Sequence, residues 1–127
     1  MAFNASDSTN NYDQSVTQGD SYGFTVSYKD ATTEEIIPFV TGDTVTYTVR
    51  EEYANDTVIL QKTITSFTVE GKAEINVTAV DTAAISLGRY VFDIEVEKAS
   101  GAKTTIIPDS NTVCTLPVLA VCPQVTR

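Results

Sequence analysis

Between Tyr90 and Glu97 the chain alternates between apolar and acidic positions. Tyr90, Phe92, Ile94 and Val96 fall on one side, Asp93, Glu95 and Glu97 on the other, with Val91 the single apolar exception. Neighbouring side chains of a strand point to opposite faces, so this pattern predicts a half-buried β-strand with an acidic outer face. Residues 80–87 ahead of it predict a polar turn with room for one helical turn, ending at Leu87-Gly88, where glycine re-aims the chain into the strand. The same period recurs upstream. Tyr22, Phe24, Val26 and Tyr28 alternate with Ser21, Gly23, Thr25 and Ser27; Val45, Tyr47 and Val49 alternate with Thr44, Thr46 and Thr48; Ala73, Ile75 and Val77 repeat the spacing. Val58, Leu60 and Ile64 predict a strand within 58–67. Ser100-Gly101 predicts a tight hairpin into 103–107, and 111–121 a last strand interrupted by Pro117.

The intervening segments carry turn chemistry. Residues 29–35 and 51–57 read as polar connections, Thr41-Gly42-Asp43 as a turn, and Val69-Glu70-Gly71-Lys72 as a hairpin turn. Ile36-Ile37-Pro38-Phe39-Val40 is a short apolar run whose proline predicts a sheet edge or a crossover between sheets. About seven to nine closely spaced strands without a sustained helical period predict an all-β antiparallel sandwich or barrel. Residues 1–15, rich in Asn, Ser, Asp and Thr, predict a flexible or extended arm, and 16–127 one sandwich domain.

Composition narrows the function classes. A hydrophobic content of 42% is too high for a disordered chain, and 127 residues suit one domain. A net charge of −9 repels phosphate backbones and anionic lipid, so neither nucleic acid nor membrane is an expected partner. That charge reads first as solubility and second as docking onto a basic partner. Met1 to Asp7 lacks the basic and apolar regions of a signal peptide. The N-x-[ST] triplets at Asn4, Asn55 and Asn76 then read as chance matches.

The search for chemistry ends on absences. The sequence has no histidine, so it holds no Ser-His-Asp or Cys-His arrangement and no histidine metal ligand; its glycines are scattered singly, outside any phosphate-binding pattern. Asp93 and Glu95 share one strand face at about 6.5–7 Å, a separation glycosidases use. On the solvent face of an alternating strand, however, carboxylates keep a sheet soluble, and that reading is preferred to catalysis. Asp7, Asp13, Asp20, Asp30 and Asp43 lack the spacing of a calcium loop, although a loop calcium stays open. Asp20, Asp30 and Asp43 fall in turns, where aspartate bonds local backbone.

Cys114 and Cys122 would lie roughly 26 Å apart in a straight strand. A turn at Pro117 could join them, but reduced thiols are expected. Tyr12, Tyr22, Tyr28, Tyr47, Tyr53 and Tyr90 could form a sugar-binding face, yet Tyr22, Tyr47 and Tyr90 occupy alternating apolar faces that predict core packing. No catalytic, cofactor-binding or metal residue is assigned, and no cofactor or small-molecule substrate is expected.

Three segments carry a resemblance. Gly19-Asp20-Ser21-Tyr22-Gly23-Phe24-Thr25-Val26, the run from Pro38 through Thr41-Gly42-Asp43-Thr44-Val45 to Arg50, and Asp81-Thr82 through Leu87-Gly88-Arg89-Tyr90 to Ile94 follow in the order seen in a family of small immunoglobulin-like β-sandwich proteins of tailed bacteriophages. That family is similar to the N-terminal module of phage baseplate upper proteins. The closing Val125-Thr126-Arg127 also resembles its usual ending, whereas Thr41 replaces a usual leucine and 114–124 departs from its pattern. The resemblance implies a single antiparallel immunoglobulin-like sandwich without catalysis. It implies a virion structural protein, assembled in the host cytoplasm, that docks other virion proteins in the tail, baseplate or fibre-attachment region, as a symmetric homo-oligomer. The arm and the strands beside Pro38 and Pro117 are the expected contact elements. A capsid decoration, cement or neck protein is the alternative, and an adhesion or carbohydrate-binding module the alternative of another class.

Overall fold

Residues 2–4, 13–28, 33, 35–51, 57–67, 71–107 and 118–123 are described by a computed structural model. The chain runs β1 (Ala2–Asn4), β2 (Gln14–Thr17), β3 (Tyr22–Ser27), β4 (Thr44–Arg50), β5 (Val58–Ile64), β6 (Ala73–Val77), α1 (Ala79–Ala83), β7 (Gly88–Glu97), β8 (Lys103–Ile107) and β9 (Val118–Cys122). One sheet has the order β1-β3-β6 and the other β2-β9-β7-β4-β5, with β8 also on β7. The fold is an all-β sandwich. β3 pairs with β6 in one sheet, and β4 pairs with β5 and β7 in the other, so strands next to each other along the chain are divided between the two layers.

The core forms where the alternating faces meet. Phe24, Val26, Ala73, Ile75 and Val77 of the small sheet lie against Val45, Tyr47, Val49, Phe92, Ile94, Val96 and Leu119 of the large one, all buried. Each large apolar side chain so enclosed contributes about 1.5–3 kcal/mol relative to exposure. The rings of Phe24, Tyr47 and Phe92 meet edge to face at centroid distances of 5.0 and 5.4 Å. Val91, the exception in the alternation, sits half-buried on the outer face opposite Val118 of β9.

Three expectations need correction. The sandwich is not wholly antiparallel, because β1 runs parallel to β3 and β2 parallel to β9. Side chains alternate with period two in either direction, so the pattern is blind to strand direction. Second, Val69-Glu70-Gly71-Lys72 does not join a hairpin. β5 belongs to the large sheet and β6 to the small one, so the connection crosses between sheets. Third, the boundary at residue 16 falls inside β2. Gln14 is buried at 4% exposure, and Tyr47 Oη donates to its Oε1 at 2.9 Å. The described parts of the expected arm, β1 and the start of β2, are edge strands, one on each sheet. The run 36–40 does connect β3 to β4 across the two sheets, as its proline predicted.

Candidate interaction surface

The segments carrying the resemblance turn out to fasten the sandwich ends. At one end β6 turns into α1 through Thr78, whose Oγ1 accepts from Asp81 N at 3.1 Å while Asp81 Oδ2 accepts from Thr78 N at 3.0 Å. This reciprocal cap satisfies two otherwise open backbone donors. Asp81 also meets Lys62 at 2.8 Å. The Lys62 ammonium and the Thr78 N–H hold its carboxyl below the usual carboxylate range. Thr82, fully buried, accepts from Gly19 N at 3.0 Å and donates to Asp20 O at 2.8 Å, which ties α1 to the turn between β2 and β3. Tyr90 Oη donates to Ser86 O at 2.6 Å, which fastens the turn ahead of β7 to its own strand.

At the opposite end Asp43 takes the equivalent part. Its carboxylate, 1% exposed, accepts from Val40 N at 2.9 Å, Ala99 N at 3.0 Å and Lys98 Nζ at 2.7 Å. Burial alone would raise its pKa. The bonds from Lys98, Val40 and Ala99 outweigh it and hold the carboxyl below the ordinary range. Lys98 Nζ also lies 5.8 Å from the ring centroids of both Tyr28 and Phe39. Gly42 has φ +102°, and a Cβ there would stand 2.8 Å from the Ala99 side chain, so glycine is required where the turn meets the β7–β8 hairpin.

Beside this tie is a cleft of about 520 Å³ lined by Phe39, Val40, Thr41, Thr65, Ser66 and Phe67. Phe39 and Phe67 stack at 5.0 Å, and Phe39 N donates to Gly71 O at 2.7 Å. Gly71 has φ +72°, and a Cβ there would come within 2.5 Å of Pro38. Val40 is exposed where it lines the cleft, and Ile36 and Ile37, just before it along the chain, are exposed as well. Of the expected contact elements, the run at Pro38 exposes Ile36, Ile37 and Val40 and gives Phe39 and Val40 to the cleft, β1 is an edge strand, and Pro117 lies outside the described residues.

The other candidates separate cleanly. Asp93 lies on the outer face of β7, half-buried, opposite Thr48. Burial raises its pKa, the Arg50 charge lowers it, and Glu95 raises it again, with a net rise. The cleft lies at the end of the sandwich, away from this pair. Asp13 accepts from Val118 N at 2.9 Å, and Asp20 sits in the turn after β2. Asp7 and Asp30 lie outside the described residues. Among the described residues no group of three or more Asp, Glu, Cys or His could hold a metal ion.

Tyr47 and Tyr90 are buried, and Tyr22 packs half-buried against the core. Tyr22 and Tyr47 share a 2.8 Å hydrogen bond, and burial pushes both phenols above their ordinary range. Tyr28 packs near Phe39, while Tyr12 and Tyr53 lie outside the described residues. Cys122 is exposed on β9; Cys114, and so any bridge between them, lies outside the described residues. Asn76 is exposed on β6 and donates to Glu74, Asn4 belongs to β1, and Asn55 is outside the described residues. No helix among the described residues is long and apolar enough to cross a membrane.

Sequence patterns missed the role of Gln14, because a polar residue in an Asn- and Ser-rich run carries no burial signal. They also missed the pairing of Asp43 with Lys98, residues 55 positions apart in sequence.

No protein-family model matches the chain, and no curated protein matches it in sequence.

Proposed function

We propose that the chain is a virion structural protein of a tailed bacteriophage, a non-catalytic docking module of the tail at the baseplate or fibre-attachment region. One observation carries this reading. The three segments that resemble the phage family carry the ties of the fold: Thr82 of the third holds Gly19 and Asp20 of the first, Tyr90 of the third holds Ser86, and Asp43 of the second holds Lys98. A motif set that encodes fasteners in place of a reactive constellation belongs to a protein whose work is to present rigid surfaces. The exposed Ile36, Ile37 and Val40 and the edge strand β1 supply such surfaces.

Mass spectrometry of purified particles from the producing lysate tests the proposal. The chain should appear at a fixed ratio to the major capsid protein and follow the tails when heads and tails are separated. Recovery with heads would favour a decoration, cement or neck role. Absence from particles, with retention on a glycan array, would favour an adhesion module.

A further inference from the structure

The two edge strands at the start of the chain are held differently. β2 lies parallel to β9 and is fastened along its length. Asp13 accepts from Val118 N at 2.9 Å, and buried Gln14 accepts from Tyr47 Oη at 2.9 Å. Just past the strand, Gln18 N donates to Cys122 O at 2.9 Å and Gln18 Nε2 to Ile85 O at 2.8 Å. β1 lies parallel to β3 on the other sheet, with Ala2 opposite Thr25, Phe3 opposite Val26 and Asn4 opposite Ser27. Among the described residues, that short ladder on one neighbour is its strand pairing. Such a ladder is weak, because each hydrogen bond adds about 0.5–1.5 kcal/mol net and parallel pairing is slightly less stable than antiparallel.

Residues 5–13 join the two strands, and they are more numerous than a crossing between layers requires. Packed sheets lie about 10 Å apart, whereas nine residues reach about 30 Å when extended. The connection is therefore long enough to carry β1 past its own sandwich to a neighbour. A tether of this length keeps β1 near its own β3 at an effective concentration on the order of 1 mM. A second copy at or above that concentration competes on equal terms, since the ladder it offers is the same. The β3 edge also needs a strand. Val26 is fully buried and Ser27 is 4% exposed, so removal of β1 uncovers unpaired backbone beside the core.

We propose that β1 is exchanged between copies of this chain. β1 of one copy adds to β3 of the next, in the register of Ala2 on Thr25, while β2 stays on its own sandwich. Each copy gives one strand and receives one, so a pair or a ring leaves every β3 edge filled. The exchange goes beyond the virion reading and stands on the strand pairing, so either can fail without the other.

A disulfide placed across the ladder tests it. Opposed residues on neighbouring strands stand about 4.8 Å apart, within disulfide reach. In a Cys114→Ser, Cys122→Ser background, a chain carrying Ala2→Cys and Thr25→Cys is oxidised at concentrations up to about 1 mM. Bridges between chains, read on non-reducing gels and by peptide mapping, should be roughly half or more of the total at the top of that range and should fall on dilution. Mixed single variants, Ala2→Cys with Thr25→Cys, should form the mixed dimer in preference to either like pair. Bridges that close within one chain at every concentration would overturn the proposal, as would a mixture without the mixed dimer.

Sedimentation of the unsubstituted chain gives a readout free of introduced cysteine. Its weight-average mass should rise over the same range. Phe3→Pro with Asn4→Pro removes two adjacent N–H groups, one of which faces β3, because successive residues of a strand point their backbone groups to opposite sides. That variant should stay monomeric and melt close to the parent, since the core lies elsewhere. A parent chain that stays monomeric, or a mass rise unchanged by the two prolines, sinks the exchange. Recovery of the chain in particles with bridges closed within single chains would keep the virion reading and remove this one.

Discussion

At the α1 end the loops are tied through hydroxyl groups. Thr82 joins the turn at Gly19-Asp20, and Tyr90 holds Ser86. At the hairpin end they are tied through one buried carboxylate, Asp43, that gathers Lys98 and two backbone donors. Both devices solve the same problem. Connections between sheets leave backbone groups without ladder partners, and buried ones must be satisfied. The solutions differ in what can undo them. A hydroxyl tie does not titrate near neutrality, while a carboxylate tie depends on ionisation.

Replacing Asp43 should have the largest effect. Asp43→Ala leaves Lys98 and the Val40 and Ala99 amides without their acceptor and should cost about 2–3 kcal/mol in urea unfolding, less than a fully buried pair because Lys98 reaches solvent. Thr82→Val keeps the shape but strands the Gly19 amide, and should cost about 2 kcal/mol. Tyr90→Phe should cost about 1 kcal/mol, since only one hydrogen bond is lost. A Tyr90→Phe loss larger than that of Asp43→Ala would reverse the ranking of the two ends.

Acid separates the ends directly. The Asp43 carboxyl titrates below its ordinary value when folded, so its contribution is fully present above the unfolded pKa and is lost as pH falls through the folded one. Below about pH 4 the unfolded carboxyl begins to take up its proton, and stability should start to decline. In hydrogen exchange the Val40 and Ala99 amides should lose protection in acid before the Gly19 amide does. Asp43→Asn should flatten that part of the profile. Asp81 is also held low, but it is partly exposed, so Asp81→Asn should flatten it less.

The smallest effect is expected at Asp93, and with the opposite sign. Its folded pKa is raised, so the ionised form costs stability above that pKa and the cost disappears on acidification. Asp93→Asn should therefore stabilise the protein by a few tenths of a kcal/mol at neutral pH and leave acid stability unchanged.

Much of this was legible along the chain. The alternations at 22–28, 44–49, 73–77 and 90–97 located β3, β4, β6 and β7 and the faces they bury. The polar stretch before Gly88 held one helical turn, and Asp43 bonded its own turn through Val40. Illegible were the features that need a second segment. Gln14 is buried because Tyr47, on the inner face of the same sheet with β9 and β7 in between, donates to it, and nothing within residues 10–18 announces that partner. Gly71 reads as a hairpin glycine, yet its left-handed backbone serves a crossover packed against Pro38. Of the candidate surface, the run 36–40 was visible as an apolar segment with a proline. That Phe39 and Val40 line a cleft required Thr65 and Phe67, just past the end of β5.

The sequence by itself determined most of the strand content, the inward faces and most turn positions, and left open whether the strands close as a sandwich or a barrel. Strands, faces and turns follow from side-chain period and from the local conformations that Gly, Pro and Asp favour, and both are properties of neighbouring residues. Tertiary structure alone decided the directions of β1 and β2, the sheet to which β5 and β6 each belong, and the partners of Asp43, Thr82 and Gln14. Period two is the same in parallel and antiparallel strands, and a hydrogen bond across 55 or 63 positions exists only once the chain has closed on itself.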